Sequence, residues 1–380
     1  MDFSFTEEQL MFKEQVMRFA TKEIVPRVQE YELKGEFDFQ SFRKLGEFGI
    51  LGLHFSEELG GSNADVVTSV LVGEALGEAG VDGGLTLAYG AHTFLCADTI
   101  FSHGTDTQRK RYIPKLSSGE WIGCMGLTEP GAGSDVASLA TRAEKCGDTY
   151  VLNGNKMFIT NGPVSDVAVI YAKTGKDLKH AGISAFIVEK GNKGFSKGKN
   201  LIKMGVKASH TSELIFEDCE IPEENLIGQE GAGFIMAMQT VEWDRSALLA
   251  PFIGGMTYVL KKCARFAKER YQFGRPIGEF QAIKHKLADI KIFIEAARSL
   301  CYRIAWCKDQ GRSLNHLEAA VAKLFIGDWS LKPANDAMVL HGGYGYCHEY
   351  EVERYFRDSR LAPIGGGTSE IGKKIICKLI

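Results

Sequence analysis

The sequence predicts an α+β fold, mostly α, in three consecutive units: a helical domain over residues 1–120, a small β barrel or sandwich over 121–232, and a helical bundle over 233–380. Three observations carry this prediction. Apolar residues recur at near-helical spacing in the first third, short β-branched runs separated by Gly, Asn and Lys fill the middle, and long amphipathic segments return after Phe234.

The first unit opens with EEQLMFKEQVMRFATKEIVPRVQEYE, where Leu10, Phe12, Val16, Phe19 and Ile24 share helical spacing with charges between them. In the second unit VAVIYAK, GISAFIVEK and SELIFEDCEIP have strand composition, and the turn residues Asn153 to Asn155 predict a hairpin between two such runs. The third unit contains FIMAMQTVEWDRSALL, EFQAIKHKLADIKIFIEAARSLCYRIAWCKD and HLEAAVAKLFIGDWSLKPANDAMVLHGG, each patterned as amphipathic helix. Neither a repeat nor a low-complexity linker separates the units, so they are expected to pack as one body.

Composition narrows the function. With 44% hydrophobic and 24% charged residues in 380, the chain has the make-up of a soluble globular protein with a large core. A net charge of -3 without a dense Lys/Arg run argues against a nucleic-acid partner. The start MDFSFTEEQL lacks the layout of a signal peptide, and no apolar run reaches the ~18 residues needed to cross a bilayer, so no membrane partner and a cytoplasmic location are expected. Nine scattered cysteines without a C-x-x-C pair support neither a disulfide framework nor a metal site.

The chemistry-bearing stretches lie at the seams between units. GLTEPGAGSDVASL, from Gly126 to Leu139, offers hydroxyls and backbone N–H groups to an anion or a flavin edge, although GAGSD alone is only a tight turn. HGGYGY, by itself, reads as a helix end. APIGGGTSEIGKK spends Gly365, Gly366 and Gly367 at one spot, and each costs roughly 1 kcal/mol against alanine inside a helix. No strand followed by G-x-G-x-x-G and a helix indicates a Rossmann site.

Taken together, LTEPGAGSD, NGNKMFITNG, MGVKASHTSELIFEDCEIPEENLIGQEGAGF, RYQFGRPIGEFQAIKHKLADI, LHGGYGY and YFRDSRLAPIGGGTSEI resemble, in order and spacing, the acyl-CoA dehydrogenase flavoproteins over essentially the whole chain. The resemblance implies an N-terminal helical domain, a central β-barrel domain and a C-terminal four-helix bundle. It also implies FAD as cofactor, an acyl-CoA substrate, electron-transferring flavoprotein as acceptor, and a homotetramer. By the same resemblance Met125, Leu127, Thr128, Ser134, Phe158 and Thr160 line the flavin ring and ribityl chain. Arg270, Phe273 and Gln281 come from a neighbouring subunit to the adenine half and pyrophosphate, where a planar guanidinium suits phosphate oxygens. Gly343, Thr368 and Glu370 fall at further flavin-contacting positions, while Val339 replaces a Gln that touches FAD in many members.

The glycine stretch departs from the family. Many relatives read IYEGTSQI there, and the Glu removes the proton α to the thioester while flavin N5 takes the β hydride; here that position is Gly366, which keeps only its backbone N–H for the thioester carbonyl. The isovaleryl-CoA and long-chain members carry their base on a helix immediately before an Arg, a position held here by Asp244 before Arg245. Helical spacing independently puts Asp244 on an apolar stripe with Ala237, Val241, Ala247 and Leu248, where desolvation raises a carboxyl pKa towards that of a general base. The alternative for Asp244 is a structural carboxylate paired with arginine. Glu242 and Arg245 are expected at the substrate with Ser134, and His92, in the YGAHTF segment matching the acyl-pocket wall, is an alternative base or a core histidine. Aspartate is about 1.5 Å shorter in reach than glutamate, and a ~1 Å misplacement costs a large factor in rate, which points to a branched or alicyclic acyl group. Desulfination, or 1,4-elimination on a cyclic enoyl-CoA, is the alternative chemistry.

Overall fold

Residues 4–175, 179–244, 247–311 and 316–380 are described by a computed structural model, with the backbone alone at 179, 241–244 and 316. The N-terminal helices are α1 (Glu7–Glu23), α2 (Val25–Lys34), α3 (Phe39–Glu47), α4 (Val66–Ala79), α5 (Gly83–Gly90), α6 (Asp98–His103) and α7 (Asp106–Ser117). A capping box starts α1: the Thr6 hydroxyl accepts from Gln9 N and the Gln9 side chain accepts from Thr6 N. Val16 and Ile24 are fully buried, but Leu10 is 47% exposed, so the apolar stripe is narrower than the spacing predicts. Pro26 in the first turn of α2 separates it from α1. Between α5 and α6, Ala91–Ala97 winds as a π-helix, a local over-wide turn within one continuous helical rod.

The middle unit holds β1 (Gly123–Gly126), β2 (Arg142–Cys146), β3 (Thr149–Thr160), β4 (Val167–Lys173), β5 (Ile183–Glu189), β6 (Phe195–Lys197), β7 (Thr211–Pro222) and β8 (Leu226–Ile227). They form one sheet in the order β6-β7-β3-β2-β4-β5-β8, with β1 beside β4 in parallel. Both faces of β4 and β5 are covered, which explains their unbroken apolar runs. Ala168, Ile170 and Phe186 pack with Leu152 and Phe216, while Val167, Val169 and Tyr171 pack with Ile100 and Leu116 of the helices.

The hairpin predicted at 153–155 does not form there. β3 runs straight through these residues with a bulge at Gly154, whose φ is +142° and where a Cβ would lie 2.7 Å from the Thr141 Cα. The reversal between β2 and β3 falls instead at Gly147, with φ +64°. Both sites carry turn-forming residues, and the approach of Thr141 makes one of them a bulge.

The C-terminal unit comprises α8 (Gly233–Asp244), α9 (Ala250–Glu269), the short hairpin β9 (Tyr271–Gln272) and β10 (Arg275–Pro276), α10 (Gln281–Asp309), α11 (His316–Trp329), α12 (Leu331–His341), α13 (Val352–Ser359) and α14 (Ser369–Leu379). The helix predicted through residues 234–249 does not run uninterrupted into α9: a 3-10 turn covers Ala247–Leu249, and Pro251, without an N–H, stands in the first turn of α9. Helices α4 and α9 approach to backbone contact. A Cβ on Gly77 would stand 1.9 Å from Pro251 O, and one on Gly254 would stand 1.9 Å from Glu74 O. Around this crossing Val16, Leu76, Met256, Ile294 and Leu340 belong to one core, so the first and last units share their interior. All nine cysteines are free and six are buried. Among the described residues no helix is long and apolar enough to cross a membrane, and no cluster of His, Cys, Asp and Glu could hold a metal ion.

Candidate active site

The seam between the first two units is built on β1 and β3. Chain leaves β1 through Leu127 and Thr128, Thr128 O accepts from Met157 N at 2.8 Å, and Glu129 and Ala132 exchange backbone hydrogen bonds in a tight turn. This brings Thr128 against the stretch that holds Phe158 and Thr160. Phe158 has φ +61° within a second bulge of β3, and its side chain is 64% exposed. A positive φ at a non-glycine residue is backbone strain that the surrounding structure must hold in place. Ser134 is exposed, and a Cβ built on Gly131 or Gly133 would meet nothing within 4 Å, so the loop faces open space.

Beneath this surface lies a pair that the sequence reading passed over. Lys156 is fully buried, and its Nζ donates to Glu129 Oε1 at 2.6 Å and to Leu127 O at 3.3 Å. Glu129 also accepts from the N–H groups of Ala140 and Thr141. Burial pulls the Lys156 ammonium down to about 8, against the opposing charge of Glu129. The sequence signal was a lysine in the otherwise strand-like NGNKMFIT.

The glycine loop is held from α11. Gly366 and Gly367 have φ +64° and +99°, the left-handed region that disfavours side chains. Buried Lys323 donates to Gly367 O, and the Ser369 hydroxyl donates to Asp328. Thr368 caps α14 by accepting from Ile371 N at 3.4 Å. The Glu370 carboxylate is exposed, and backbone and Thr368 hydrogen bonds hold it below the usual range.

Arg270 precedes the β9–β10 hairpin, Phe273 stands in its turn at φ +51° and 93% exposed, and Gln281 opens α10 just beyond it. The Arg270 guanidinium lies 5.6 Å from the ring centroid of Tyr344, next to Gly343, which uncovers a second open spot where a Cβ would meet nothing within 4 Å. Val339 is exposed on α12. Asp244 is the last residue of α8, two and one turns beyond buried Ala237 and Thr240; its side chain, that of Glu242, and the whole of Arg245 lie outside the described residues.

His92 is not a base. Its ring is fully buried, Nδ1 accepts from Gly123 N–H at 2.9 Å, and Nε2 therefore carries the proton and donates to Leu116 O at 3.0 Å. Burial pushes its pKa down to about 4, so it is a neutral core histidine that pins β1 to the end of α7. With both nitrogens committed to backbone, it offers nothing to a substrate.

Comparison with known proteins decides the family. The acyl-CoA dehydrogenase N-terminal, middle and C-terminal domains match residues 6–120, 124–219 and 231–380 in turn. The chain belongs to the acyl-CoA dehydrogenase family. It is 42% identical to a short-chain-specific acyl-CoA dehydrogenase of Clostridium acetobutylicum, over 99% of this chain and 98% of that one. It is 40% identical to the mitochondrial isovaleryl-CoA dehydrogenase of Solanum tuberosum, over 98% and 90%. The solved structure of PigA with FAD and proline superposes with a TM-score of 0.97 at 33% identity, covering 100% of this chain and 99% of that one. This acyl-CoA dehydrogenase is thus an oxidoreductase that uses FAD.

The residues present fit that cofactor. Thr128 N–H has no partner among the described residues, the open glycines at 131, 133 and 343 leave room for a backbone-hugging ligand, and exposed Phe158 and Arg270 supply an aromatic face and a phosphate-matching fork.

Proposed function

We propose that this acyl-CoA dehydrogenase introduces a C=C bond into a branched or alicyclic acyl-CoA, with Asp244 as the base that removes the α proton. The observation that carries the proposal is the left-handed pair Gly366 and Gly367: no carboxylate stands at position 366, and the backbone there disfavours one. FAD, when bound, supplies the acceptor for the β hydride. Met125, Leu127, Thr128, Ser134, Phe158 and Thr160 line it, with Gly343, Thr368 and Glu370 at further contacts. Arg270, Phe273 and Gln281 reach towards a neighbouring subunit of a homotetramer, and their exposure at the β9–β10 hairpin and the start of α10 supports this. Gly366 N–H polarises the thioester carbonyl, Glu242 and Arg245 contact the CoA portion, and the glycines leave acyl space. Similarity to isovaleryl-CoA dehydrogenase supports a branched substrate. Electrons leave to electron-transferring flavoprotein in the cytoplasm.

The test is anaerobic flavin bleaching against straight-chain, branched and alicyclic acyl-CoA thioesters. Fast bleaching by branched or alicyclic thioesters, lost in Asp244→Ala with FAD still bound, is the expected result. Bleaching that survives Asp244→Ala removes the base assignment. The missing carboxylate at 366 also favours altered chemistry as a second reading: no bleaching by any saturated thioester, with sulfite release from a sulfinyl-acyl-CoA or elimination from a cyclic enoyl-CoA, would establish it.

A further inference from the structure

We infer that Lys156, charge-paired with Glu129, is a positioning residue for the flavin: it turns the Leu127–Thr128 peptide so that the Thr128 N–H faces the cofactor. The geometry follows from a planar bond. All peptides among the described residues are trans, so the carbonyl of Leu127 and the N–H of Thr128 point in opposite directions. Leu127 O is drawn inward by Lys156 Nζ at 3.3 Å, which aims Thr128 N–H outward, away from the buried ammonium. One residue on, Thr128 O is taken by Met157 N, which ties the same loop to β3. The loop is thereby fixed twice, once by a backbone bond and once by a buried charge.

A purely structural role explains this poorly. A buried ion pair is seldom more stable than apolar side chains of similar volume, because both charges lose their hydration. Lys156 and Glu129 nonetheless occupy fully or nearly fully buried positions, and the carboxylate spends its remaining capacity on Ala140 and Thr141 N–H. The network joins three backbone sites, Leu127 O and the N–H groups of Ala140 and Thr141, around the loop that carries Leu127 and Thr128. It also sets a fixed cation close behind that loop, in a low-dielectric interior where charge is felt strongly.

The inference rests on the placement of the flavin against Leu127, Thr128 and Phe158, and the experiment separates the two. Holoenzyme variants Lys156→Met, Glu129→Gln and Thr128→Val are compared with the wild type for the visible flavin spectrum, the reduction midpoint potential and FAD dissociation. A lost charge-assisted hydrogen bond in the supporting network should raise the FAD dissociation constant by about tenfold and displace the midpoint potential in Lys156→Met, and Glu129→Gln, which leaves the ammonium without its counter-charge, should also displace the potential. If Thr128→Val alters the flavin but Lys156→Met and Glu129→Gln leave potential and affinity unchanged while lowering only the melting temperature, the positioning role is overturned. If all three leave the flavin untouched, the placement of the cofactor is wrong. Should Lys156→Met fail to fold, Glu129→Gln decides alone, and an unchanged potential there overturns the inference.

Discussion

Replacing His92 by glutamine tests the core assignment quantitatively. Glutamine can accept from Gly123 N–H and donate to Leu116 O, but it does not titrate. In the wild type, His92 stays neutral when folded down to about pH 4, whereas in the unfolded chain it takes up a proton near 6.5. Its folded pKa is depressed, so between these values the unfolded state binds more protons and stability falls as pH drops. The displacement from 6.5 to about 4 amounts to about 3 kcal/mol, nearly all of it lost by pH 4. Denaturant unfolding of wild type and His92→Gln at half-unit steps from pH 7.5 to 4 gives the difference, in which other titrating groups cancel. The variant should gain about 3 kcal/mol relative to wild type across that range. Its flavin should still be bleached by substrate at neutral pH, because no proton passes through this ring. A flat difference, or loss of bleaching with FAD bound, would refute the assignment.

Asp358 should show the opposite slope. Burial pushes its carboxyl up to about 6, opposed by the Val206 N–H and by Arg354 and Arg357 and reinforced by nearby Asp82, so the folded state holds the proton more tightly and loses stability as pH rises from about 4 through 6. Asp358→Asn is therefore expected to gain on wild type by up to about 3 kcal/mol between pH 4 and 7.5, checked by the same titration. Gly77→Ala drives a Cβ to 1.9 Å from Pro251 O, a backbone atom that cannot swing aside, and should destabilise by about 3 kcal/mol or more, seen as a lowered denaturation midpoint. Lys323→Met removes the donor to Gly367 O and should impair substrate-driven bleaching more than FAD retention; equal loss of both would argue against a role confined to the loop.

Much of this was legible from sequence, for identifiable reasons. Helix α10 follows its apolar stripe from Gln281 to Asp309, and the capping box Thr6-x-x-Gln9 marks the start of α1. Strands β4 and β5 announce themselves by apolar runs, though not by alternation, because both faces are covered. Asn153 to Asn155 misled because a glycine with positive φ serves a bulge as well as a turn, and only Thr141, brought close by the fold, distinguishes them. His92 was ambiguous and Lys156 escaped notice for a related reason: a lone polar residue is either functional or satisfied, and their partners, Leu116 and Gly123 for one and Glu129 for the other, are distant in the chain.

The backbone contact between α4 and α9 has a consequence for synthesis. The apolar face of α4 is closed by residues from Ala250–Glu269, which leave the ribosome long after the first helices do. At about 5–20 residues per second the wait lasts roughly 10–40 s, during which the nascent N-terminal helices have no partner for that face. All the strands of the β unit, the last ending at Ile227, are synthesised before α9 begins at Ala250. A chain arrested before α9 should accordingly present an unshielded apolar groove, a substrate for chaperones and proteases, until the glycines of the last unit arrive to seal it.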